Sequence, residues 1–398
     1  MHTITERIKE FNKDREAALQ QRKYEAMSEN VFRFFRGTCH IFYEDLSKEK
    51  LKIVSPPGWI CGDLHLENFG SFKSDNRLVY FDINDFDESV LAPLHWELVR
   101  IVTSIFVALQ SLKIERRKAE KLANLFLKTY CATLRNGKAL YIERQTATGI
   151  VCDFLEQASL KKHRNVIEKH TIQIDGDLKI ALRDLKYAKI EKPLRKELLV
   201  FMQNWLADHA NGLSMYKPVD CAFRFAGTGS FGLKRYGFLL KRSDESESKY
   251  LLLDMKQVRT SATAAFVDIP QPAWRSEAHR ITEIQKRMQN CPPALLSPAV
   301  FKDEHFIIKE LQPQKDGLDF NLFCDRYHDM SDVIRTMAVL VASAQLRSAG
   351  RQGSAIADEL ISFGTDESWL QEVVNFALVY AGRVSDYYDE FVADISKQ

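Results

Sequence analysis

Two short segments, about 160 residues apart, constrain this chain most. The first is Cys61-Gly62-Asp63-Leu64-His65-Leu66-Glu67-Asn68, followed by Phe81-Asp82-Ile83-Asn84-Asp85-Phe86-Asp87. It sets an aspartate five positions before an asparagine, and the apolar strand Leu78 to Phe81 then delivers Asp82. The second is Gly227-Thr228-Gly229-Ser230-Phe231-Gly232. Its glycines let backbone N–H groups come close to negative oxygens. Both segments border extended, apolar sequence. A fold that uses them together must join two β-containing regions around the helical remainder.

The first segment has the arrangement that phosphoryl transfer requires. Asp63 can receive or orient an attacking hydroxyl. Asn68 and Asp82 supply the oxygen ligands that Mg²⁺ prefers. Asp82 stands fourteen residues after Asn68 and ranks first as the metal aspartate, with Asp85 second and Asp87 a further rival. His65 reads as a hydrogen-bonder that orders the catalytic loop more than as an acid–base group. Arg36 is open between a phosphate contact and an ion pair in the core. Gly62-Asp63-Leu64-His65 also matches one fragment of the metallophosphatase signature, but the complementary Gly-Asn-His-Glu element is absent.

Three readings compete for the glycine loop. A Rossmann turn needs a helix directly after it and an acid further on, for which Asp254 would serve. Leu233 to Lys241 instead looks extended and leads through a polar turn to Tyr250–Lys256. A Walker loop needs Lys and then Ser or Thr after the last glycine; Leu233-Lys234 follows. A glycine loop between antiparallel strands, with a lysine on the next strand, fits the kinase arrangement. Lys256 fills that lysine role. Glu283, beside the apolar positions Ile281, Ile284 and Met288, is the expected acid to hold it, with Glu277 as the other candidate.

Helical spacing is clearest over residues 115–135, 331–348 and 367–396, and Leu94 to Leu112 is strongly apolar. Residues 4–30 are charged and helix-prone, and Val31 to Tyr43 reads as a buried turn or helix. The character becomes β-like near Pro218. At 398 residues the chain can divide into two or three lobes. A net charge of +2 provides no global field for nucleic acid or membrane binding. Seven scattered cysteines without a Cys-x-x-Cys pair read as reduced thiols of a cytoplasmic protein. No stretch approaches a membrane-spanning length.

The catalytic segment resembles that of aminoglycoside phosphotransferases and choline kinases. The whole chain is similar to a bacterial family known as domain of unknown function 2252. Lys23-Tyr24 with Met27, Phe34-Phe35-Arg36-Gly37, Gly62 to Gly70, Phe81 to Glu88, Trp96-Glu97-Leu98, the glycine loop, and Glu283 to Gln289 carry that likeness. It implies a kinase-like fold, with Glu97 buttressing the catalytic loop. Four positions depart from the pattern: Cys61 for a histidine, Glu97 for an aspartate, Gln257 for an acid and Gln345 for a histidine.

The expected architecture is therefore α+β, a protein-kinase-like two-lobed fold. The catalytic loop precedes the glycine loop, which implies circular permutation. Residues 1–216 would form the helical lobe, 217–312 the nucleotide-covering lobe with a hinge near Glu310 to Pro313, and 313–398 helices returning to the first. The expected activity is transfer of the γ-phosphoryl of ATP, with Mg²⁺, to a hydroxyl on a small molecule or protein. A silent nucleotide-binding regulator and an adenylyl transferase are the alternatives. The helical insert expected at residues 113–216 would provide acceptor specificity.

Overall fold

The computed structural model describes residues 3–15, 17–160, 163–183, 186–209, 213–225, 232–243, 250–311 and 317–397. Four helices open the chain: α1 (Ile4–Asn12), α2 (Ala17–Ser28), α3 (Val31–Gly37) and α4 (Cys39–Lys48). Thr3 caps α1 by accepting from the Glu6 N–H, while the Glu6 carboxylate accepts from the Thr3 N–H. The aromatic stretch becomes α3 and α4. Gly37 lies so close to α2 that a Cβ there would sit 2.6 Å from Met27.

Strands β1 (Pro57–Ile60), β2 (Phe69–Lys73), β3 (Val79–Ile83) and β4 (Val90–Pro93) follow. β1 pairs with β4 and β2 with β3, both antiparallel. The two ribbons place the first motif in the connection from β1 to β2, and the acids in the connection from β3 to β4. Helices α5 (Leu94–Ser111) and α6 (Arg116–Asn136) match the expected apolar periodicity to within a residue or two. The short β5 (Ile142–Glu143) joins the open edge of β3, and α7 (Gly149–Leu160) and α8 (His163–His170) come next.

A turn at Asp175-Gly176 closes a hairpin of β6 (Thr171–Ile174) and β7 (Asp177–Ile180), with φ of 50° and 84° at those two residues. Then come β8 (Tyr187–Ala188), α9 (Lys192–Asp208), β9 (Tyr216–Arg224), β10 (Arg235–Arg242) and β11 (Tyr250–Gln257). Helix α10 (Glu277–Met288) leads to β12 (Ser297–Phe301) and β13 (Glu304–Glu310). An antiparallel sheet runs β12-β13-β11-β10-β9-β8. The chain ends in α11 (Tyr327–Ser348), α12 (Ala357–Thr365) and α13 (Leu370–Ile395).

The α+β class is as expected, but the packing divides differently from the sequence order. One apolar core joins α1–α7 to β1–β4 and α10–α13. A second lies between the sheet and α9, where Leu198, Met202 and Leu206 meet Phe238, Leu253 and Ile308. The expected boundary at residue 217 is thus crossed in both directions. β8 and α9 belong to the sheet unit, whereas Ala278, Ile281, Ile284 and Met288 of α10 join the helical core. Residues 113–216 do not form one insert, because α6 and α7 pack in the helical core and α9 on the sheet. Among the described residues no helix is long and apolar enough to cross a membrane, and all seven cysteines are unbridged. The expected hinge lies partly outside the described residues.

Candidate active site

The loop after β1 is held from several sides. Gly62 adopts a φ of 85°, and a Cβ there would lie 2.1 Å from the Glu88 carbonyl oxygen, so only glycine fits. The Tyr43 hydroxyl donates to the Gly62 carbonyl, and the Leu66 N–H donates to Ser104 Oγ at 2.9 Å. Glu97, wholly buried on α5, accepts the Cys61 N–H at 2.6 Å. Its other oxygen accepts from Gln345 Nε2 at 2.9 Å. The glutamate does buttress the loop, and glutamine at 345 suits it as a neutral donor. Burial pushes the Glu97 carboxyl up, opposed by these hydrogen bonds.

Asp63 is anchored by a residue the sequence reading passed over. Arg100 of α5 donates to Asp63 Oδ1 from Nε at 3.2 Å and from Nη2 at 2.7 Å. The guanidinium is fully buried. It lies 3.7 Å from the Phe35 ring centroid and 4.8 Å from that of Phe42, a cation–π sandwich. Nη2 also donates to the Phe35 carbonyl. The signal was present: a charged residue inside a strongly apolar helix needs a buried partner.

His65 takes the ordering role. Its Nε2 accepts from Arg36 Nε at 3.3 Å. Burial, with Arg36 and Arg100 nearby, holds its pKa well below the usual imidazole range. A ring held this way favours its neutral form and positions the loop by hydrogen bonding. Arg36 also forms an ion pair with Glu67 and lines the cavity beside Asp63.

Asn68 is a brace between the two acidic loops. Its Nδ2 donates to the carbonyls of Asp63 at 3.0 Å and Asp85 at 3.2 Å, and its Oδ1 accepts the Asp85 N–H at 2.8 Å. The amide is buried, and where a metal ligand was expected it ties the Asp63 and Asp85 loops together.

The structure separates the three aspartates. β3 extends to Ile83, so Asp82 lies inside the strand, where its Oδ1 accepts the Ile83 N–H. Asp85 and Asp87 line the cavity with Asp63; Asp82 does not. Lys256 of β11 reaches across to both, 2.6 Å from Asp87 and 3.5 Å from Asp85. Burial raises the Asp85 carboxyl, but Lys256 outweighs this and holds it below the usual range. Asp87 is raised by burial and by Asp85.

Burial also pushes Asp82 up to about 6. The folded state then binds more protons than the unfolded chain between the ordinary aspartate range and pH 6, so this group's contribution to stability falls with rising pH across that window. Asp82→Asn is expected to stabilise the protein by about 1–3 kcal/mol at pH 7, and by progressively less toward pH 4, in urea titrations at both pH values. The same substitution should leave nucleotide binding intact. Lost nucleotide binding would restore Asp82 as the metal aspartate.

Glu283 does not hold Lys256. It pairs with Lys286 at 3.8 Å on its own helix. The apolar stripe beside it turns α10 toward the helical core, and α10 sends Arg280 to the acidic loop instead. Arg280 Nη2 donates to the Asp87 carbonyl at 2.8 Å, and Nη1 donates to the Ser89 carbonyl. Asp254, the candidate acid of the Rossmann alternative, is buried between Arg224 and Arg235. Of the glycine loop, Gly227, Thr228, Gly229, Ser230 and Phe231 lie outside the described residues. Gly232 is described, with φ of 97°, and a Cβ there would come within 2.6 Å of Arg15 Cδ. Arg15 in turn lines the cavity with Asp63. Gly232, the last glycine of the second motif, is thus separated from that cavity by the Arg15 side chain.

That cavity, of about 60 Å³, is walled by Asp63, Asp85, Asp87 and Glu88 on one side and by Phe11, Arg15, Lys23, Arg36 and His40 on the other. Helices α1–α4 and their connections supply the second wall, not residues 113–216. Among the described residues no group of three or more His, Cys, Asp or Glu stands ready for a metal. Mg²⁺ needs fewer: it commonly takes one or two carboxylates, with phosphate oxygens and water completing its shell. Asp85 and Asp87 fit that donor set.

A family described as "Uncharacterized protein conserved in bacteria (DUF2252)" matches residues 15–394. No curated protein and no solved structure matches the chain.

Proposed function

We propose, for a chain that belongs to this bacterial family of uncharacterized proteins (DUF2252), an ATP- and Mg²⁺-dependent phosphotransferase activity toward a hydroxyl acceptor. The observation that carries this reading is Lys256. It comes from the sheet that bears the glycine loop, yet it pairs with Asp85 and Asp87 in the cavity that holds Asp63. A lysine, two acids and an aspartate from a separate loop are the set that phosphoryl transfer uses. The reading includes a kinase-like arrangement of two lobes in circularly permuted order.

In this mechanism Asp63 orients the acceptor hydroxyl, and Arg100 fixes the carboxylate that does so. The hydroxyl oxygen bonds to the γ-phosphorus as the bond to the β,γ-bridging oxygen breaks. ADP leaves with that electron pair, and the hydroxyl proton passes to Asp63. Asp85 and Asp87 would hold Mg²⁺, which would neutralise charge on the phosphates. Lys256 would turn from the acids to the phosphate oxygens. Positioning and fixed charge supply most of the rate.

Mg²⁺-dependent stabilisation by ATP tests this. At saturating nucleotide the melting temperature is expected to rise by about 3–8 °C with Mg²⁺ and by less with EDTA. No Mg²⁺-dependent rise would remove the reading. One observation favours a second: the Asp63 carboxylate is already engaged by Arg100. A nucleotide-binding regulator would show the same ATP stabilisation with no turnover, equal in wild type and Asp63→Asn.

A further inference from the structure

The cavity beside Asp63 contains donors that transfer from ATP does not use. Its acids are already engaged. Asp63 meets Arg100, Asp85 and Asp87 meet Lys256, and Glu88 accepts the Ala262 N–H at 2.6 Å and the Ser261 hydroxyl at 3.1 Å. Lys23 is 1% exposed, and its ammonium donates to Asn12 Oδ1 at 3.1 Å. Among the described residues it meets no carboxylate at ion-pair distance. Burial, with Arg15 adding to it, drives Lys23 well below the usual lysine range. His40 is 6% exposed, stacks on Phe11 with ring centroids 3.8 Å apart, and leaves its Nε2 without a hydrogen-bond partner. A buried lysine with no carboxylate at ion-pair distance and a ring nitrogen with no partner line one cavity, and an oxyanion there would accept from both and restore the lysine's charge.

Space agrees with this. A cavity of about 60 Å³ holds roughly four waters, room for one small oxyanion group. Phe11, His40 and Ala262 also border a larger open groove that includes Glu6, Lys13 and Phe266. The Phe11–His40 stack is therefore the boundary that the inner cavity shares with the groove.

We propose that the phosphoryl acceptor is a small hydroxyl compound carrying an oxyanion, a phosphate or a carboxylate, which Lys23 and His40 hold in the inner cavity while the rest of the molecule extends past Phe11 into the groove. Its role as acceptor rests on the phosphotransferase reading; the anion site does not.

The test uses the full chain without nucleotide. Inorganic phosphate, acetate and glycerol are titrated by calorimetry into wild type, Lys23→Met, His40→Phe and Lys256→Met. Methionine keeps the length of Lys23, and phenylalanine keeps the stack on Phe11, so each removes donors with little change of shape. At least one anion should bind wild type and glycerol should not; the tighter anion identifies the headgroup. Lys23→Met and His40→Phe should each weaken it about tenfold or more, and Lys256→Met, which bares Asp85 and Asp87 beside the cavity, should weaken it less than either. Absence of anion binding overturns the proposal. So does undiminished binding in both Lys23→Met and His40→Phe, or loss in Lys256→Met, which would place the anion at the nucleotide phosphates. If the phosphotransferase reading alone fails, ATP with Mg²⁺ does not bind and the anion site persists. If the anion site alone fails, ATP with Mg²⁺ still binds.

Discussion

Asp63→Asn is expected to lower Mg²⁺-dependent ATP turnover by about three orders of magnitude, measured as ADP release against wild type. Asparagine keeps an oxygen for Arg100 but cannot take a proton from the acceptor or ion-pair with the guanidinium. General base assistance is worth about 10²–10⁴, and misplacing the acceptor hydroxyl costs more. ATP affinity should change little, because Asp63 faces the acceptor and the phosphates belong to Lys256. A drop in ATP affinity with unchanged turnover at saturation would reassign Asp63 to nucleotide binding. Asp63→Ala is the poorer variant, since it strands a fully buried Arg100.

Arg100→Leu has the second large effect, and it falls on stability. Removing one partner of a buried pair costs about 3–5 kcal/mol, and here the stacking on Phe35 and Phe42 goes with it. The residual charge is less severe than in the reverse case, because Asp63 is 23% exposed at its side chain and Arg100 is not exposed at all. The expected loss is about 3 kcal/mol in urea unfolding. A double-mutant cycle with Asp63→Asn separates the two contributions. The coupling energy between the positions should exceed about 1 kcal/mol. Additive effects would mean that Arg100 acts through its aromatic neighbours alone.

The parts of this site that are local in sequence were legible. Gly62, Asp63 and Asn68 are close together, and their spacing alone brings the loop near the following acids. Lys256 was legible because it ends a continuous apolar strand after a glycine loop. Three things were not. Choosing between Asp82 and Asp85 required knowing that β3 continues to Ile83, and strand ends are set by pairing with β2, not by composition. Glu283 sits on a helix whose apolar stripe was read correctly, but that stripe packs on the helical core, which turns Arg280 toward the acids. The wall formed by Arg15, Lys23 and His40 depends on tertiary packing of the first four helices. Nothing in residues 4–48 signals which distant loop they will cover. The fold had the same limit: the long helices and strands β9–β11 were readable, the short strands β5–β8 within the stretch read as helical were not, and the assignment of α9 to the sheet and α10 to the helical core was decided by long-range contacts.

The most direct measurement is calorimetric titration of ATP, with and without Mg²⁺, into wild type, Asp85→Asn and Lys256→Met. Wild type should bind one ATP per chain, more tightly with Mg²⁺. Asp85→Asn should lose most of that Mg²⁺ enhancement, and Lys256→Met should weaken binding by about tenfold or more. No binding to wild type, or binding that ignores Mg²⁺ and both substitutions, would contradict a phosphoryl-transfer site built from these two distant segments.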